Sequence, residues 1–270
     1  MWTSRPVVAI PLTMLCTIVA AASAMLATPL FNRSSPLAQP AAGLSVALVA
    51  VLLVYPWRRY LLRRPWSGVG LPWRRSAIAE AFLGAVIAAS AVMVAMAVSV
   101  LIGAATWTSS PETGERFGVV LLAILSVSIL QQGFPEELLW RGHLWDLLSD
   151  SLSPRMVLVL TSVVFGLLHI VSGSGATSIG ERLLFIGSAT ALMFVCGAAR
   201  ARTGAAWMAV GVHSGFHIGL RSLPIEPSNY AVWLVVLTAA LSLAGLLILG
   251  RSWSGTAQPT PQGHNAVTNQ

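Results

Sequence analysis

The chain has 270 residues, of which 56% are hydrophobic and only 9% charged. A soluble domain carries roughly a quarter charged residues, and the apolar residues here fall in runs near the roughly 20 that an α-helix needs to cross a bilayer, so a soluble globular domain is excluded. The runs do not alternate, which excludes a membrane β-barrel, and the net charge of +7 comes from arginine without a single lysine.

Taken in order, the chain divides into eight apolar segments. The first runs from Val7 to Leu30 and reads as an uncleaved membrane helix rather than a signal peptide, because a second apolar run follows closely. The link 32–40 leads to the second segment, Ala41–Pro56. An arginine-rich loop, 57–75, comes next, with Trp57, Trp66 and Trp73 expected as interfacial anchors. The third segment is Ala77–Ala105. The fourth starts at Phe117 and runs into a charged stretch. The fifth is Arg155–Val171, the sixth Leu183–Ala199, the seventh Ala205–Leu220 and the eighth Tyr230–Gly250. An all-α polytopic membrane protein is expected, with about eight transmembrane helices enclosing a polar cavity. Residues 1–253 form one helical domain in this reading. The tail 254–270 is polar and poor in hydrophobic residues, and is expected to be disordered.

Arg58, Arg59, Arg63, Arg64, Arg74 and Arg75 all sit in the 57–75 loop. They read as a cytoplasmic topology signal beside anionic lipid, not as a nucleic-acid surface. Counting spans from there puts both termini in the cytoplasm, and a bacterial plasma membrane is the expected location. Cys16 and Cys196 lie in apolar runs without metal-type spacing and read as small buried hydrophobes.

The charged stretch is Pro135 to Gly142, with Glu136, Glu137 and Arg141 inside an apolar sequence. Ionisable groups at membrane depth are costly and point to function. The fourth and fifth segments form an antiparallel hairpin about the polar turn 149–154. Glu136 and His169 each lie about 16 residues from its centre, or roughly 24 Å along a helix. They are therefore level. His213 and His217 follow the turn at 202–204 by about 10 and 14 residues, roughly 15 and 21 Å, and their i, i+4 spacing puts them on one face. Five ionisable side chains converge on one layer, whereas His143 and His264 lie away from it. Hydropathy alone would end the fourth span near Phe134. The hairpin needs a helix that continues to Leu148, with a break expected at Gly133 and Pro135.

A carboxylate beside an imidazole can hold a water and take its proton. Imidazole N–H groups can stabilise the oxyanion of a tetrahedral intermediate. Glu137 could pair with Arg141. Ser214 lies between the two histidines but on another face, so a water nucleophile is the economical choice. Glu136, His169, His213 and His217 could instead hold a divalent metal such as zinc, although the pattern is not the HExxH of soluble metalloproteases.

Residues Glu136 to Arg141 resemble the EExxxR motif of the CAAX prenyl protease and bacteriocin-processing (CPBP, or Abi) intramembrane proteases. Phe165 to His169 resembles their FxxxH motif, and His213 is similar to the first histidine of their third motif. The resemblance spans roughly residues 117–220. It implies an eight-helix core and hydrolysis of a membrane-associated or lipid-modified peptide. It implies that Glu136 and His169 activate water, that His213 and the residue at 217 bind the oxyanion, and that Glu137 and Arg141 support the site. Both a metal-dependent and a metal-free mechanism are associated with the family. His217 stands where the family more often has asparagine. A non-catalytic membrane immunity or binding protein with the same fold is the alternative. A proton-coupled transporter is disfavoured because the polar groups occupy only the second half of the chain.

Overall fold

The computed structural model describes residues 5–27, 35–108, 117–223 and 225–250. The polar tail, with His264, lies outside them. Eight helical rods make up the fold: α1 (Pro6–Ala27), α2 (Ala38–Leu62), α3 (Arg75–Leu101), α4 (Phe117–Leu148), α5 (Pro154–Leu168), α6 (Ile179–Thr203), α7 (Trp207–Ser222) and α8 (Tyr230–Leu249). Six of them are long and apolar enough to cross a bilayer, which makes this an all-α integral membrane protein. The other two of the eight rods, α5 and α7, are shorter than these six. Helices α5 and α7 have only 15 and 16 residues, about 23 and 24 Å of rise. Two three-residue strands, β1 (Ala105–Trp107) and β2 (Ile225–Pro227), pair antiparallel and clip the segment after α3 to the segment after α7.

Local sequence sets the helix ends. Ser153 accepts from the Met156 amide and Pro154 opens α5, since proline's missing N–H costs nothing at the first position. Ser178 accepts from the Glu181 amide, and Glu181 in turn accepts from Thr177 N, a reciprocal cap at the start of α6. Asn229 caps α8 through the Val232 amide.

Helix α4 does not break at Gly133 and Pro135. It runs 32 residues without interruption to Leu148, and the polar stretch is carried by two wide, π-type sections, Ser126–Gly133 and Leu138–Leu144. A wider turn takes up the disturbance without ending the helix, and such bulges recur at functional sites.

Helix α7 is positioned by glycine. Gly211, Gly215 and Gly219 recur every fourth residue, and each lies against α3. A Cβ on Gly215 would stand 2.7 Å from the Ala85 carbonyl carbon, and one on Gly219 would stand 3.3 Å from Ala89 Cα. Side chains two residues away on a helix point about 200° round the axis. The face that lets α7 press its backbone onto α3 therefore leaves His213 and His217 on the opposite side.

The arginine-rich loop is more than a topology signal. Arg58 is 1% exposed and pairs with Asp146 of α4 at 2.9 Å, while also donating to the Pro65 carbonyl. Arg64 pairs with Asp146 at 3.1 Å and with Asp150. Trp57, expected at the interface, is buried instead, its ring 4.3 Å from that of His143. The loop is thus bolted to the end of α4.

Candidate active site

Four side chains from three helices line one cavity of about 200 Å³: Glu136 of α4, His169 at the end of α5, and His213 and His217 of α7. Its remaining wall is largely apolar and aromatic, with Phe165, Phe185, Phe216, Tyr230 and Trp233 among the lining residues. The depth matching that made Glu136 and His169 level thus corresponds to a shared cavity. The imidazole within 4 Å of the Glu136 carboxylate, however, is that of His213, whose Nε2 lies 3.7 Å from Oε2.

Glu137 lies behind this surface and is completely buried. Its Oε1 accepts from His213 Nδ1 at 2.8 Å. Its Oε2 faces Arg141 Nε at 3.4 Å, one helical turn away. Arg141 is also fully buried; its Nη1 lies 2.9 Å from Met193 Sδ, and Nη2 donates to the Met193 carbonyl. Arg200 of α6 donates to the Arg141 carbonyl at 3.1 Å. A buried charge is tolerable only when paired and hydrogen-bonded. Arg141 supplies a countercharge beside the carboxylate that holds His213.

Two of the three rings have definable protons here. His213 Nδ1 meets a carboxylate, which only accepts, so Nδ1 carries hydrogen. His169 Nδ1 lies 3.1 Å from the Phe165 carbonyl oxygen and must donate as well. In neutral rings both Nε2 atoms then carry lone pairs. His213 and His217 stack at 5.2 Å, and the Phe165 ring lies 5.0 Å from His169 and 6.3 Å from His213. Phe165 thereby spaces the rings of α5 and α7 apart.

Residues 117–219 match the family model described as type II CAAX prenyl endopeptidase Rce1-like. This is the family that the three motifs resemble. All of the nominated site residues fall within the matched segment, and so do α5 and most of α7. A comparison with curated proteins gave no match.

The Rce1-like segment does not gather the nominated metal ligands tightly. Among the described residues, the ligand atoms that lie within 4.8 Å of one another as a trio belong to Glu137, Cys196 and His213. One oxygen of Glu137 meets His213 Nδ1–H, and the other faces the Arg141 guanidinium at 3.4 Å as an ion pair without a hydrogen bond. A cation placed there would confront Arg141, so this donor set does not fit a resident metal. Cys196, read as a small buried hydrophobe, is indeed buried, but it packs beside the site, with its Sγ 3.8 Å from the Ala209 carbonyl oxygen.

Three contributors were not nominated from sequence: Arg221, Met193 and Arg200, the last donating to the Arg141 carbonyl. Arg221 touches His217, and its i+4 spacing from that histidine was a visible signal. Met193 receives Arg141 from 52 residues away, and nothing local announces that. His143 is fully buried against Trp57 and outside the cavity, as expected. Ser214 is buried too and does not line the cavity.

Proposed function

We propose that this protein is an intramembrane endopeptidase that hydrolyses a peptide bond of a membrane-associated or lipid-modified peptide with an activated water. The observation that carries the proposal is the cavity shared by Glu136, His169, His213 and His217 within a segment matching the Rce1-like family.

Glu136 acts as general base. It takes a proton from water as the water oxygen bonds to the scissile carbonyl carbon. The Nε2 lone pair of His169 accepts the water's other hydrogen and orients it. The carbonyl oxygen becomes an oxyanion, which draws hydrogen bonds from His217 and from His213 when its Nε2 is protonated. Collapse of the intermediate breaks the C–N bond, and the proton held on Glu136 passes to the departing nitrogen. Glu137 and Arg141 keep His213 in place throughout. The apolar, aromatic cavity wall favours substrate segments with bulky apolar side chains. The reaction needs no resident metal in this scheme. The arginine-rich loop and both termini face the cytoplasm.

The test compares purified wild type with Glu136→Ala and His169→Ala on a library of membrane peptides that includes C-terminally lipidated ones. Cleavage by wild type and loss in both variants is expected. Equal cleavage by wild type and Glu136→Ala would overturn the assignment.

A further inference from the structure

Arg221 sits one turn after His217, at the end of α7. Its Nη1 lies 2.9 Å from His217 Nδ1 and 3.1 Å from the His217 carbonyl oxygen. That nitrogen has two hydrogens and can serve both acceptors. A guanidinium has donors only. The imidazole nitrogen that meets it must therefore accept, and the ring's one proton is left on Nε2.

We propose that Arg221 is a positioning residue that fixes His217 in the Nε2–H tautomer, so that this ring donates a hydrogen bond into the cavity. The inference rests on the hydrolytic reading above and refines the part played by one of its donors.

The neighbouring rings give the device its meaning. His169 and His213 are both held through Nδ1–H, by the Phe165 carbonyl and by Glu137. Each turns a lone pair to the other side when neutral. His217 is held the opposite way round, by a donor at Nδ1. Of the three neutral rings lining the cavity, it is therefore the one that keeps an N–H to offer at Nε2. An asparagine amide, more frequent at this position in the resembling family, always has N–H groups to donate. An imidazole has one hydrogen and two nitrogens, so its usefulness as a donor depends on which nitrogen carries it. Arg221 lies at the exposed end of the helix and does not line the cavity, so it acts through His217 alone. The same contact occupies the Nδ1 lone pair.

Long-range 15N–1H spectra of histidine-labelled protein in nanodiscs read the tautomer directly, with His217→Gln used to assign the signal. The wild type should show His217 as Nε2–H. Arg221→Met should convert it to a mixture of tautomers, and Arg221→Lys, which keeps a donor, should restore it. In cleavage assays Arg221→Met should lower kcat about tenfold with little change in KM, less than the ~100- to 1,000-fold loss typical when an oxyanion donor is removed outright. In a His217→Asn background the same change at Arg221 should have no effect. An Nδ1–H signal in the wild type, or an unaltered Nε2–H signal in Arg221→Met, would overturn the proposal. The spectra need no turnover, so a protein that cleaves nothing would refute the hydrolytic reading while the tautomer of His217 is still decided.

Discussion

Nδ1 of His213 donates to Oε1 of Glu137 over 2.8 Å, while the far side of the same ring faces Glu136 at 3.7 Å. Two carboxylates adjacent in sequence thus lie on the two sides of one imidazole, one hydrogen-bonded and one within 4 Å. One is buried and neutralised by arginine; the other opens onto the cavity. In the proposed reaction, that arrangement separates holding from reacting.

Glu136→Gln should abolish cleavage while leaving the fold intact. The amide keeps the shape but cannot take a proton, and general-base catalysis typically contributes ~100- to 10,000-fold. Peptide cleavage and thermal unfolding in detergent, measured side by side, check this; an unfolded variant or one of wild-type activity would contradict it.

Glu137→Gln should behave differently. It removes the charge that answers Arg141 and weakens the hold on His213, so both activity and melting temperature should fall. A variant with intact stability and reduced turnover would show that the pair is not structural.

Arg141→Met should be the most damaging of the three for folding. It leaves the Glu137 carboxylate buried without a countercharge, a situation that costs about 3–5 kcal/mol. The melting transition should drop sharply, and the double variant Arg141→Met/Glu137→Gln should recover part of the loss.

Gly215→Val should displace α7 from α3. The added atoms would meet backbone at Ala85, which cannot rotate away as a side chain can, so the cost should exceed the ~1–3 kcal/mol of ordinary overpacking. Yield and monodispersity on size exclusion report it. Gly187→Val, where a Cβ would meet nothing within 4 Å, serves as the control.

Prolonged chelation should leave cleavage within about twofold of the untreated rate, because the engaged Glu137 and the spacing of the remaining ligands do not assemble a metal centre. Metal content measured alongside activity checks this, and restoration by added zinc after a true loss would refute it.

Several of these relationships are legible in the sequence. Glu136 and His169 share a cavity because depth in a hairpin depends only on residue count from the turn and the rise of a helix. His213 and His217 share a face because they are four apart. Rotation about the helix axis is a different matter. Two wide sections in α4 alter the angular position of everything after Ser126, so a 3.6-residue period does not reveal which glutamate meets His213. The same sections explain why Gly133 and Pro135 produce no break. The pairing of Arg58 and Arg64 with Asp146 spans more than 80 residues, and their loop looks like a simple topology signal for that reason. Eight apolar segments correspond to eight helical rods, of which α5 and α7, at 15 and 16 residues, are the shortest.

The shortness of those two helices has a consequence for supply. Both pack on α6, and at about 23 and 24 Å they fall short of the roughly 30 Å hydrocarbon thickness. A bilayer meeting a rod as short as α5 would thin towards it, drawing its wet boundary inward. His169 stands at the end of one of them. The proposed hydrolysis consumes a solvent that oil almost excludes, and a dimple in the slab at this point would bring that solvent to the cavity without a dedicated channel.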